Sequence, residues 1–198
     1  MRILYLKMSA ATTVARPVVN IADRTIDFEA VIRGHQSMVF SLAVHFLRDR
    51  AVAEDLAQEV FLELYRNMDS IQSHQHMVYW LRKVTSRRCI DQARRTKVRA
   101  HVSFEEAAEP FIWTQGEDPA LKRYVEQLLG KLGETARMIV ILRYQEGLDP
   151  MEIAGMLDMP LATVKSHLQR SLASMRKRVG EATGEAIDDN QQDSQHGH

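Results

Sequence analysis

One cysteine among 198 residues, Cys89, excludes an internal disulfide and any cysteine-based zinc cluster. With nine glycines, five prolines and no alternating run of β-branched residues, strands have little to build on, so the expected fold is all-α. No uncharged apolar run reaches the roughly 18 residues needed to cross a bilayer, so no membrane segment is expected. The opening MRILYLKMSAA is broken by Lys7 and makes a poor signal peptide, which points to a cytoplasmic protein; Met8 is a second candidate start. Glycine-rich phosphate loops, HExxH, GxSxG and clustered carboxylates are all missing, and this argues against an enzyme. His74 and His76 stand too close together for i,i+4 ligation and lack nearby partners. No catalytic residue, cofactor or metal is therefore expected.

Charge of one sign is also lacking overall, since 26 Lys and Arg balance 26 Asp and Glu. The average conceals a segregation. Between Arg82 and Arg99 lie eight cations (82, 83, 87, 88, 94, 95, 97 and 99) and one acid, Asp91. After Gly180 come five acids (181, 185, 188, 189 and 193) and no cation. Fields fall off over about 10 Å at moderate salt, so local charge decides what binds where.

The most organised stretch runs from Asp149 to Arg178. Asp149 caps a helix with Pro150 at its first position and Glu152 completing a capping box. After the break at Asp158-Met159-Pro160, Leu161, Val164, Leu168, Leu172 and Met175 form the buried stripe of a second helix. At about 100° per residue its other side carries Ala162, Thr163, Ser166, Gln169 and Arg170, flanked by Lys165 and His167. Such a helix suits a major groove, with polar side chains on base edges and Lys on phosphates. An ordinary solvated helical hairpin has the same outline.

Around this stretch the chain divides. Residues 1–24 form a loose arm. Residues 25–95 make a helical domain, with a break expected at Gly34 and a helix over Ala51–Met68 whose outer face holds Glu54, Asp55, Gln58, Glu59 and Glu63. That face is either simple helix stabilisation or a docking surface for a basic partner. A polar loop then leads into a basic helix over Met77–Arg95, suited to a phosphate backbone. The loop's Asn, Gln, Ser and His side chains, with Tyr79 and Trp80 following, fit unstacked bases. Residues 96–117 read as a flexible linker, apolar enough at Phe104, Phe111, Ile112 and Trp113 for part of it to dock. Fully extended, the linker would reach roughly 75 Å. Residues 118–179 form a second small helical domain, and 180–198 an acidic, disordered tail, either a passive terminus, a shield for the basic helix or a contact for a regulator.

Ala53-Glu54-Asp55-Leu56-Ala57-Gln58-Glu59-Val60-Phe61, then Trp80-Leu81, then Asp91 with Arg94-Arg95, resembles region 2 of bacterial RNA polymerase sigma factors. Tyr144-Gln145-Glu146-Gly147-Leu148, Glu152-Ile153-Ala154 and Pro160 to Arg170 resemble region 4 of the same family. Two domains joined by a short linker are typical of its extracytoplasmic-function (ECF) group.

The resemblance implies a sigma factor that binds core RNA polymerase and directs promoter recognition, −10 melting and transcription initiation. Glu54, Asp55, Leu56, Gln58, Glu59 and Phe61 would then meet the β′ clamp helices, and the second domain the β flap. Ser73, His74, Gln75, His76, Tyr79, Trp80, Arg87, Arg88, Asp91, Arg94 and Arg95 would serve the −10 element. Ala162, Thr163, Lys165, Ser166, His167, Gln169 and Arg170 would read the −35 element. An anti-sigma factor is the further expected partner. Met77 and Arg87 depart from the family pattern, which often has an aromatic and an Asn there, and Gly133-Glu134 replaces a proline-rich turn. The alternative is a stand-alone helix-turn-helix regulator that binds duplex DNA without polymerase.

Overall fold

Asp27 accepts hydrogen bonds from the amides of Glu29 and Ala30, which caps α1 (Phe28–Leu47). The computed structural model describes residues 27–100 and 119–183. The expected arm, most of the linker and the tail beyond Thr183 lie outside the described residues. Within them every regular element is helical. Arg48, in the left-handed region at φ 62°, ends α1, and Asp49 immediately caps α2 (Arg50–Arg66). A 3-10 turn over Met68–Ser70 leads to α3 (His74–Ala100), the longest helix.

Two expectations about boundaries need correction. α1 runs unbroken through Gly34, because one exposed glycine costs a helix only about 1 kcal/mol against alanine. The buried flanking residues Val31, His35 and Val39 hold the helix together across it. α3 begins at His74, where the polar loop was expected to run on to His76, and it continues past Arg95 to Ala100, so the first residues assigned to the linker are helical.

The second half comprises α4 (Pro119–Gly130), α5 (Glu134–Tyr144), α6 (Pro150–Leu157) and α7 (Leu161–Thr183). Gly147, at φ 69°, makes the turn after α5 that a side chain would strain. The capping box at α6 forms as its sequence requires: Asp149 accepts from the Met151 and Glu152 amides, and Glu152 accepts from the Asp149 amide at 2.7 Å. Asp158 closes α6 in the left-handed region at φ 51°, where a short polar side chain is tolerated. α7 turns Val164 and Ser171 fully inward, and the Tyr124 hydroxyl ties α4 to its far end by donating to the Arg178 carbonyl at 2.9 Å.

The two halves do not stand apart. α1, α2 and α3 pack together, α5 and α6 pack on α7, and α3 and α1 also meet α5 while α3 meets α6. One continuous core results, from Phe46, Leu64 and Leu81 on one side to Met138, Ile153 and Met156 on the other. Each such large apolar side chain contributes about 1.5–3 kcal/mol by leaving water.

Arg137 is the pin between the halves. Its guanidinium donates to the carbonyls of Leu129 (3.1 Å), Gly130 (3.1 Å) and Leu132 (3.3 Å) at the end of α4. It also reaches the Phe46 carbonyl of α1 at 3.1 Å and lies over the Phe46 ring. These are the orphan carbonyls that a helix end must satisfy somehow. Burial, then the nearby Arg48, lower its pKa, while Glu134 opposes them. Arg137→Met keeps the aliphatic stem but strands the carbonyls, so chemical denaturation should show a loss of about 2–3 kcal/mol. An unchanged unfolding midpoint would show that water replaces the guanidinium without cost.

Candidate functional site

The outer side of α2 is built by its inner side. Ala53, Leu56, Val60, Phe61 and Leu64 are buried, which leaves Asp55, Gln58 and Glu59 exposed on the opposite face. Leu56 and Phe61, named with the docking residues, are thus core residues that set the helix's orientation. Glu54 is paired to Arg50 one turn earlier at 2.7 Å. Beside this face lies a groove lined by Val52, Asp55, Leu56 and Glu59 of α2 and by Arg88, Asp91, Gln92 and Arg95 of α3.

α3 spreads its cations over more than one side. At about 100° per residue, Tyr79, Lys83, Arg87 and Arg94 fall along one side of the helix, and Arg88 and Arg95 along another. The second group faces α2. Arg88 bridges Glu59 at 2.5 Å and Glu63 at 2.5 Å, with its Nε also donating to Glu63 at 2.9 Å. Charge-assisted pairs that span two helices in this way fix them relative to each other. Arg88 thus sits against the acidic helix, whereas the sequence grouped it with DNA contacts.

The first group meets the second half of the chain. Lys83 and Arg87 both pair with Asp158, Lys83 at 3.1 Å. Arg82 pairs with Glu146 at 2.9 Å, where the Glu146 side chain is only 8% exposed. Lys97 reaches Glu134 at 3.3 Å, and that pairing, after a backbone hydrogen bond, holds the Glu134 carboxyl below its usual range. Lys83 also lies over the Tyr79 ring, which is partly exposed.

The polar loop before α3 is pinned by its own side chains. Ser73 Oγ accepts from the His76 amide at 3.0 Å as an N-cap, and His76 Nδ1 accepts from the Gln72 amide at 3.3 Å. Gln75 is exposed, whereas Trp80 is half-buried against the core. His74 packs its ring 5.2 Å from that of His35. Asp91 is exposed beside Arg94 at 3.9 Å. On α7, Ala162, Lys165, Ser166, Gln169 and Arg170 are exposed and Thr163 and His167 are half-buried, so the polar side is presented as a continuous surface. Arg170 folds back onto the Ser166 carbonyl at 3.2 Å. Among the described residues, no group of three or more His, Cys, Asp or Glu is placed to hold a metal ion, and no helix is long and apolar enough to cross a membrane.

These surfaces coincide with two segments of known kind. The family model described as Sigma-70 region 2 matches residues 31–99, and that described as Sigma-70, region 4 matches residues 122–175. Together they take in well over half of the chain, which belongs to the sigma-70 family of RNA polymerase sigma factors.

Its relatives lie within the ECF group. The ECF RNA polymerase sigma factor SigW of Bacillus subtilis is 25% identical over 165 residues, covering 77% of this chain and 88% of that protein. The ECF RNA polymerase sigma factor SigK of Mycobacterium tuberculosis is 28% identical over 148 residues, covering 71% and 79%. In fold, the chain resembles the sigma factor RpoE of Bartonella quintana, solved with the anti-sigma factor NepR, at a TM-score of 0.66 and 19% identity over 77% of this chain and 96% of that one. It also resembles CnrH, solved with the cytosolic domain of CnrY, at a TM-score of 0.57 and 19% identity over 78% and 88%.

His35 was not singled out by sequence reasoning, and a lone histidine in an apolar helix gives no signal. It is buried, its Nε2 has no hydrogen-bond partner, and burial, then His74, then Arg82 lower its pKa. An unfolded chain takes up a proton at His35 near pH 6.5, but the folded chain does so only at lower pH. Stability should therefore fall as pH drops below about 6.5, and His35→Leu should lessen that fall in denaturant melts at about pH 7.5 and 5.5. An identical pH dependence in the variant would mean that His35 is protonated as readily folded as unfolded.

Proposed function

We propose that this chain is an initiation subunit: it binds core RNA polymerase through α2, lays single-stranded −10 DNA along α3, and reads the −35 element with α7. The observation that carries the reading is the pairing, in one chain and in this order, of the region 2 and region 4 matches with exposed polar faces on the elements that must act.

Each surface has chemistry that fits its task. Asp55, Gln58 and Glu59 offer an anionic face to a basic partner, such as the β′ clamp helices, and the Arg88 bridge holds α2 rigidly enough to present it. Lys83, Arg87 and Arg94 offer a line of cations to a phosphate backbone, with Tyr79 beside them as a stacking platform. Gln75, exposed at the start of α3, and His74 beside it have polar side chains suited to hold an extruded base. Extruding a base costs a few kcal/mol, which stacking and pocket contacts offset, so melting draws on binding energy. On α7, Gln169 and Arg170 can make bidentate contacts to base edges, and Lys165 suits a phosphate.

The second domain would also meet the β flap of the polymerase. An anti-sigma factor is a further partner, supported by the complexes in which RpoE and CnrH were solved. A protein acting on chromosomal promoters works in the cytoplasm.

The test is run-off transcription from a genomic library with purified core polymerase, comparing the natural chain with Asp55→Lys. Asp55 is chosen because it lies outside the Arg88 bridge, so reversing it leaves α2 anchored. The natural chain should start transcripts at a defined promoter set. The variant should lose about 2 kcal/mol or more of core affinity while keeping its melting temperature. Tight binding to duplex operators by the chain alone, with no transcripts on adding core, would favour the stand-alone regulator instead.

A further inference from the structure

The segment that leads into α3 is anchored at both ends by buried apolar residues, Ile71 and Met77, and between them histidine contacts set its shape. His76 Nδ1 accepts from the Gln72 amide at 3.3 Å, and the His76 amide in turn donates to Ser73 Oγ at 3.0 Å. His74 has its ring 5.2 Å from that of His35 at an interplanar angle of 41°, a separation at which two rings attract. His35 comes from α1 and is buried, so His74 rests on a ring that the core holds in place. The Nε2 of His35 is buried without a hydrogen-bond partner. Among the described residues, the charged groups that act on His35 are His74 and Arg82, both on α3. α2 and α5, the other helices packed on α1, add no comparable charge, so no carboxylate balances a proton placed there.

We propose that His35 is a positioning residue for promoter reading: its neutral ring seats His74, and with it the start of α3, in the shape that receives the extruded −10 base. The inference rests on reading this segment as the base-holding element. A proton on His35 puts a cation in the core beside His74 and Arg82, and burial already makes that proton harder to add than in water. Once it is added, the ring must move toward water, and His74 loses its seat. The His76–Gln72 hydrogen bond fails in the same direction, because an Nδ1 that carries a proton cannot accept. Contacts from two helices thus impose one requirement, that the histidines stay neutral while the base is read. A mere core filler would differ, since it would set stability and leave the choice of base alone.

The test uses the full chain bound to core polymerase. Its probes are four single-stranded oligonucleotides that differ only at the extruded base of the −10 element recovered by run-off transcription. The readout is the ratio of the weakest to the tightest Kd, which cancels the general attraction of a protonated histidine to phosphates. One competing proton changes binding by at most about tenfold per pH unit. The natural chain should therefore lose between about threefold and tenfold of that ratio from about pH 7.5 to 5.5. His35→Phe keeps a ring against His74 and takes up no proton, so its ratio should stay level over the same range. His35→Gln, smaller and equally free of titration, repeats the comparison independently of how well Phe packs. His35→Ala removes the seat and should discriminate poorly at both pH values.

A ratio that stays level in the natural chain would overturn the proposal. So would equal falls in the natural chain and in both His35→Phe and His35→Gln, or full discrimination by His35→Ala at the higher pH. Failure of the underlying reading appears separately, as His74→Ala and Gln75→Ala changes that leave the ratio intact at the higher pH.

Discussion

A helix that carries so many guanidinium and ammonium groups must find anions for them, and in this chain α3 divides them between two partners. Toward α2 it gives Arg88 to Glu59 and Glu63, and Arg95 to the same groove. Toward the second half it gives Arg82, Lys83, Arg87 and Lys97 to Glu146, Asp158 and Glu134. The first partnership joins helices of one domain and is internal to it. The second is with a different domain. Exposed pairs of this kind contribute only about 0–1 kcal/mol each. The Arg82–Glu146 pair, with Glu146 only 8% exposed, is the most sheltered of them.

This division explains why a chain of zero net charge can serve nucleic acid. The acids that face the basic helix lie on α2 and in the second half of the chain, at Glu59, Glu63, Glu134, Glu146 and Asp158. Local fields, and not the sum, decide what approaches α3.

Much of this was legible in the sequence, for reasons specific to each part. The capping box at Asp149, the proline starts and the 3.6-residue stripes are local signals, and α6 and the inner face of α2 followed them directly, whereas of the expected α7 stripe only Val164 is fully buried and Leu161, Leu168, Leu172 and Met175 are half-buried. Gly34 misled because a local breaker was outvoted by packing on both sides of it. Arg137 was invisible: its carbonyl partner on Phe46 lies 91 residues away, and an arginine on a half-apolar helix reads as a solvated charge. The packing of the two halves was missed on the same ground, since a linker that permits separation does not reveal what the domains do when free. The assignment of Arg88 to DNA came from the family pattern, whereas its place against Glu59 and Glu63 depends on how α2 lies across α3.

The central claim is that the two sides of α3 have different jobs, and the salt dependence of single-strand binding tests it most directly. With the chain held on core polymerase, affinity for a −10 oligonucleotide would be followed against salt concentration for the natural chain, Arg87→Gln and Arg88→Gln. Removing a cation that neutralises one phosphate should reduce the slope of log K against log salt by about 0.7. The account gives that reduction for Arg87→Gln and an unchanged slope for Arg88→Gln. Equal reductions for both, or a reduction for Arg88→Gln alone, would contradict it.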